Sequence, residues 1–239
     1  MPSKYPGGIE DPDRFRELVS LFEAQEQRNY YYEQALATVE QEFGPGWYHS
    51  DELILGGPML LMYTWNFAAR ETKSLDADTV SSIFERHHQA IEEVRSTALV
   101  DADLQPGGPA YETVKNVWAD MKDHFGQTGT SKVLSLLAPE LFVMWDQDIR
   151  TRSQRRQGDP RDKKREDRGV YFYLKEAGYS PENNKPRFGR TAEDYILFLQ
   201  YCKEILQEVV SHPVLQERDA TPAKLLDESL YAFYKLENE

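Results

Sequence analysis

At 239 residues, with a formal charge of −13 and a pI near 4.9, the chain is long enough to bury a sizeable core as one large domain or two intimate lobes. Its 40% hydrophobic and 12% aromatic content excludes a disordered chain, and the acidic balance argues against wholesale nucleic-acid binding, which draws its affinity mainly from phosphate neutralisation. There is no apolar run long enough to span a bilayer, and Met1-Pro2-Ser3-Lys4-Tyr5-Pro6 has no apolar signal core, so a soluble, cytoplasmic protein without membrane contact is expected.

Residues 1–10 are rich in Pro and Gly and are expected to be ordered only against the body of the protein. Asp11-Pro12-Asp13 opens a long amphipathic helix, with Asp as cap, Pro in the first turn and Phe15, Leu18, Val19 and Phe22 on one face. It is expected to run to about Phe43, where Gly44-Pro45-Gly46 stops it, and its Tyr30-Tyr31-Tyr32 cluster reads as core packing. Ser50-Asp51 caps the next helix, whose near-continuous apolar content from Leu53 to Phe67 marks a central element. Gly56-Gly57-Pro58 interrupts it, so the helix proper is expected after that point. Asn66 and Arg70 are its polar exceptions, either satisfied core groups or pocket residues.

A further helix is expected over 76–99, with Val80, Ile83, Phe84, His87, Ile91 and Val94 at helical spacing. His88 and Glu92 lie four apart on one face, but five histidines at 49, 87, 88, 124 and 212 build no ligand set, so no metal is expected. The Pro- and Gly-rich stretch Asp101 to Pro109 is the best lobe boundary, dividing the chain into 1–105 and 106–239. Tyr111 to Phe125 is a helix with Val114, Val117, Trp118 and Met121 on one side.

The stretch from Gly126 to Arg150 organises the rest. Val133, Leu134, Leu136 and Leu137 lie at helical spacing, with Ser131 able to cap the turn that starts them. Pro139 ends that helix, because it offers no backbone N–H and disfavours the helical conformation at Ala138. Leu141 to Trp145 are five consecutive apolar residues expected to thread the core, and Asp146 then starts a new helix.

A polarised charge distribution follows. Between Arg150 and Arg168 nine basic residues face four acidic ones, a local charge of +5 that leaves −18 for the remainder. Such a patch, including Arg150, Arg152, Arg155 and Arg156, suits a polyanion, or else it is a solvated charged loop around Gly158-Asp159-Pro160. Val170 to Leu174 begins a helix ending near Gly178, and Tyr179 to Arg190 is a polar loop. Thr191 or Ala192 starts a long helix through Val210, stopped by His212-Pro213, and Thr221-Pro222 opens the last helix. The single cysteine, Cys202, excludes an internal disulfide framework or Cys-rich zinc module and reads as a packed helix residue. The fold class expected is all-α, a multi-helix bundle with a cleft near Lys132 and Asp146.

Gly129…Lys132-Val133…Phe142-Val143-Met144-Trp145-Asp146-Gln147-Asp148-Ile149-Arg150 resembles the signature of the helix-hairpin-helix DNA glycosylase superfamily. The resemblance covers about a tenth of the chain. It implies a hairpin around Gly129 and Ser131 that grips nucleic acid, Lys132 as nucleophile and Asp146 beside the sugar. A Lys amine attacks an anomeric carbon only when neutral, which requires a desolvated site. A nearby carboxylate stabilises positive charge developing on the sugar as the base leaves. Trp145, Tyr171 and Tyr173 are available to stack on an extruded base.

Plainer readings stand beside these: Asp146 as a helix cap, Lys132 as a surface lysine, and Leu141 to Trp145 as core. The leading expectation is an N-glycosylase/lyase acting on a base in DNA, with no cofactor. Its rivals are a nucleoside N-glycosidase, which suits the acidic pI, and a non-catalytic helical protein that binds nucleic acid or a protein partner through 150–168.

Overall fold

The computed structural model describes residues 5–65, 75–146, 149 and 191–236. Among these residues the structure is helical with no strand, as the periodicity predicts, and no helix is long and apolar enough to cross a membrane. The chain divides into two compact units, one formed by 1–25 with 145–239 and the other by 26–144. The division does not fall at the loop 101–109, which is built into the second unit. Ala102 and Leu104 are buried, the Asp103 carbonyl accepts the Tyr111 N–H at 3.2 Å, and a Cβ on Gly108 would sit 2.5 Å from the Asp103 side chain.

In the first unit, helix α1 (Pro12–Gln25) is capped as expected, with Asp11 Oδ1 accepting the N–H groups of Asp13 and Arg14 at 2.9 and 3.1 Å. Phe15, Leu18, Val19 and Phe22 form its buried face. The long C-terminal helix of this unit (Ala192–Val209, α7 below) starts from a reciprocal cap in which Thr191 and Asp194 each bond the other's backbone N–H. A short helix α8 (Val214–Glu217) and helix α9 (Pro222–Tyr231) follow, the latter capped by Thr221. Tyr231 meets Phe22 edge-on at 5.5 Å, and Tyr5 anchors the N-terminal segment by donating to Glu208 Oε1 at 2.8 Å. Cys202 is buried in α7, and that burial, reinforced by the charge of Asp227, pushes its thiol well above the usual range.

The second unit begins where the sequence predicts an unbroken helix. The chain leaves the helical path at Glu26, whose carboxylate takes the Arg28 backbone N–H at 3.1 Å and Arg28 Nε at 2.7 Å. A side chain that binds the backbone two residues on competes with the helical ladder. Helix α2 (Asn29–Glu42) then starts afresh. Tyr32, Ala35 and Val39 make its buried face, so one ring of the tyrosine cluster is core, while Tyr31 and Tyr30, one and two positions before it on a 100° screw, are exposed.

Helix α3 (Asp51–Ile54) is capped by Ser50 and does not stop at Gly56-Gly57-Pro58 as expected. It passes through a π-helical turn (Leu55–Met59) into α4 (Leu60–Trp65). The widened turn lets the chain carry Pro58 inside a helix. The two glycines let it lie close to α2, where a Cβ on Gly57 would come within 2.6 Å of Val39 and one on Gly56 within 2.9 Å of Thr38.

Helix α5 (Ala77–Val94) has Asp76 as its cap and ends earlier than the predicted Leu99. It is tied to helix α6 (Pro109–Leu137) at Asp120. Oδ2 of Asp120 meets His87 Nε2 at 2.9 Å and accepts Arg86 Nε and Nη2 at 3.0 and 2.8 Å. Arg95 lies just past the end of α5, its guanidinium 3.8 Å from the Phe43 ring and donating to the Leu137 carbonyl at the end of α6. Burial lowers the Arg95 pKa, opposed by the charge of Glu40.

Candidate functional site

Helix α6 sets the position of the organising lysine. The sequence predicts a break after Phe125 and a fresh start capped by Ser131. Instead the helix bends once, at Gly126 (φ 70°, ψ 173°), and resumes at once. Only glycine holds this conformation without strain. The Gly126 carbonyl accepts Thr130 Oγ1 at 2.7 Å, and Ser131 Oγ donates to the Thr128 carbonyl at 2.9 Å. Ser131 is thus an interior residue of the helix and not its cap. Ala138 leaves the helix with its N–H on the Leu134 carbonyl, as Pro139 dictates.

From Gly129 to Leu137 every residue is buried. Gly129 and Ser131 therefore do not form an exposed hairpin offering backbone to nucleic acid. Both lie within the helix, beyond the left-handed Gly126 at which it bends.

Lys132 is 3% exposed, not the surface lysine of the plainer reading. A lysine usually extends its stem to bring the ammonium to water, but here this part of the helix is buried on every side and the Nζ turns inward. It donates to the Trp65 carbonyl at 3.1 Å and lies 4.7 Å from the centroid of the Trp65 indole. Arg28 also faces that indole, its Cζ at 5.6 Å. The guanidinium of Arg28 is joined to Glu26, itself 7% exposed, through Nε–Oε1 and Nη2–Oε2 contacts. Sequence reading takes Trp65 as an apolar core position and passes over Glu26 and Arg28. No local signal marks Trp65 as a contact of Lys132, because the two lie 67 residues apart along the chain.

The apolar run Leu141 to Trp145 is buried throughout, as expected. Asp146 at its end is half-buried and belongs, like Trp145, to the first unit. Trp145 is stacked on Phe198 at 5.0 Å and on Tyr195 at 5.4 Å, with interplanar angles of 10° and 21°. Its ring is part of the core of the first unit. Arg150, Arg152, Arg155, Arg156, Tyr171 and Tyr173, with the whole basic segment 150–168, lie outside the described residues, as do Asn66 and Arg70.

The His88 and Glu92 side chains have separate partners. His88 Nδ1 meets the Glu85 carbonyl at 2.7 Å, and Glu92 Oε1 accepts Trp47 Nε1 at 2.9 Å. Among the described residues no three His, Cys, Asp or Glu side chains are grouped so as to hold a metal ion.

No protein-family model matches the chain, and no curated protein or solved structure matches it. The molecule is defined by its fold and its chemistry: an all-α protein with a lysine buried against a tryptophan.

Proposed function

We propose that the chain is a DNA-repair-type N-glycosylase/lyase that uses Lys132 as nucleophile and Asp146 as the carboxylate that stabilises charge on the sugar. The observation that supports this most is the burial of Lys132, since an amine nucleophile depends on a site poor in water. Lys132 lies within 129–137, a stretch of the helix in which every residue is buried.

In the reaction so read, the Nζ lone pair attacks C1′ as the glycosidic C–N bond breaks, and the bonding electrons leave with the base, which takes up a proton. Loss of an amine proton and opening of the sugar ring give an imine. Asp146 offsets the positive charge that builds on C1′ and the ring oxygen.

The test is reductive trapping. Full-length protein incubated with DNA carrying abasic or damaged sites plus borohydride is expected to give a covalent protein–DNA adduct, lost in Lys132→Ala. Asp146→Asn is expected to slow adduct formation while sparing DNA binding, because its role belongs to the transition state. Turnover without trapping would remove Lys132 from the chemistry. No adduct and no released base with any substrate would overturn the reading.

A further inference from the structure

We propose that Trp65 is the positioning residue for the Lys132 amine, its backbone fixing the direction of one N–H and its indole fixing where the charged form of the amine sits. This rests on the reading of Lys132 as nucleophile.

The two contacts come from one residue and act on different states of the amine. The Trp65 carbonyl accepts from Nζ at 3.1 Å. A neutral amine and an ammonium both donate to a carbonyl, so this contact survives deprotonation. It also holds the lone pair of the neutral amine at a tetrahedral angle away from the carbonyl, which is the arrangement an attacking amine needs. The indole acts on the charged form alone: a cation near an aromatic face is attracted by the ring quadrupole, and a neutral amine is not. At 4.7 Å from the ring centroid, Nζ is within range of that attraction.

The ring is itself fixed. Trp65 is 5% exposed, and the Arg28 guanidinium that faces it is secured by the buried Glu26. The indole therefore sets a resting place for the ammonium, and the carbonyl keeps the amine in that place once the proton has gone. Trp145 and Trp47 stack on aromatic rings, Phe198 and Phe43, whereas two cations, Lys132 and Arg28, lie over Trp65. Trp65 is placed to serve a cation.

The experiment follows the Lys132 amine directly in the full-length protein. Lysine labelled at Cε and Nζ is incorporated, the Lys132 resonance is assigned with Lys132→Arg, and its titration is followed by NMR in wild type, Trp65→Phe and Trp65→Leu. Loss of the indole removes an attraction felt only by the ammonium, so the midpoint is expected to fall in Trp65→Leu by about one pH unit. Trp65→Phe should fall less, since a weaker aromatic face remains.

Replacement of the four tryptophans by fluorinated analogues keeps the shape while weakening the ring face, so it should lower the Lys132 midpoint in steps with fluorination. This arm reads the proposal even if the substitutions at 65 fail to fold. An unmoved midpoint across the series, or Trp65→Phe displaced as far as Trp65→Leu, would overturn the role of Trp65. The titration uses no DNA, so the two readings fail separately. A moved midpoint without a trapped adduct keeps Trp65 as the residue that holds the amine and removes Lys132 as nucleophile. A trapped adduct with an unmoved midpoint does the reverse.

Discussion

Lys132 in the second unit and Lys224 in the first are buried to similar depth, 3% and 7% exposed, and each lies over an aromatic ring, Trp65 at 4.7 Å and Phe22 at 4.8 Å. Their polar partners differ in kind. Lys224 Nζ is 3.1 Å from Glu228 Oε1 and 3.7 Å from Asp227 Oδ2, both one turn along its own helix and both buried. Lys132 donates to a carbonyl. Two carboxylates thus stand beside the Lys224 ammonium within one turn of helix. The contacts differ in kind, buried carboxylates of its own helix beside Lys224 and a carbonyl and an indole from far along the chain beside Lys132, a distinction that neither depth of burial nor contact with an aromatic ring makes alone.

The comparison breaks most readily through paired substitutions. Lys224→Met leaves Asp227 and Glu228 buried with one cation fewer, and is expected to cost about 3 kcal/mol of unfolding free energy. Lys132→Met keeps a side chain of similar volume and removes the donor to the Trp65 carbonyl, and is expected to cost less, about 1 kcal/mol. Denaturant unfolding of the two variants measures both. Equal costs would mean that the two lysines do the same work, and the contrast would fall.

Local chemistry accounts for what was readable in the sequence. The caps Asp11, Ser50, Asp76, Thr191 and Thr221 all accept the backbone N–H groups that their positions predict, because each partner lies within three residues. Pro139 ends its helix and Leu141 to Trp145 are buried for similarly short-range reasons. Contacts made over distance were not readable. The π-helical turn at Gly56-Gly57-Pro58 depends on packing against Thr38 and Val39, and the burial of Lys132 depends on Trp65, 67 residues away. Glu26 defeated the reading for another reason: an acidic residue inside an amphipathic pattern looks like a solvated helix position, and only its bonds to Arg28 turn the chain. The resemblance singled out Lys132 as a nucleophile and set a turn at Gly129, whereas the helix bends at Gly126.

That bend gives the next test. Gly126 has φ 70° with open space where a Cβ would go, so Gly126→Ala carries backbone strain without a clash and is expected to cost about 1–2 kcal/mol. The bend sets the rotation of everything after it in α6, so the same substitution should also alter the Lys132 NMR resonance while leaving Lys224 unchanged. Movement of both resonances, or of neither, would show that the bend does not control the lysine's placement.

The smallest expected effects concern acid, and they separate the two units by pH range. In the first unit His212 is buried near Phe15, and desolvation lowers its pKa against the opposing influence of Asp11 and the Glu10 backbone. An imidazole whose folded value is depressed stays neutral while its unfolded counterpart, near 6.5, takes up a proton. Its contribution is present above about pH 6.5 and is lost as pH falls through the lower folded value. In the second unit burial raises the Asp120 pKa, but its bonds to His87 and Arg86 outweigh this and leave it below the ordinary carboxylate value. That contribution is present above the unfolded value near 3.9 and is lost only as pH falls through the still lower folded one. Urea midpoints measured from pH 7 to pH 3 should therefore fall in two stages. His212→Phe should flatten the stage below about pH 6.5, and Asp120→Asn should flatten only the stage below about pH 4. If His212→Phe leaves the slope between about pH 6.5 and 5 unchanged, the imidazole is not desolvated in the folded protein and the acid response of the first unit has another source.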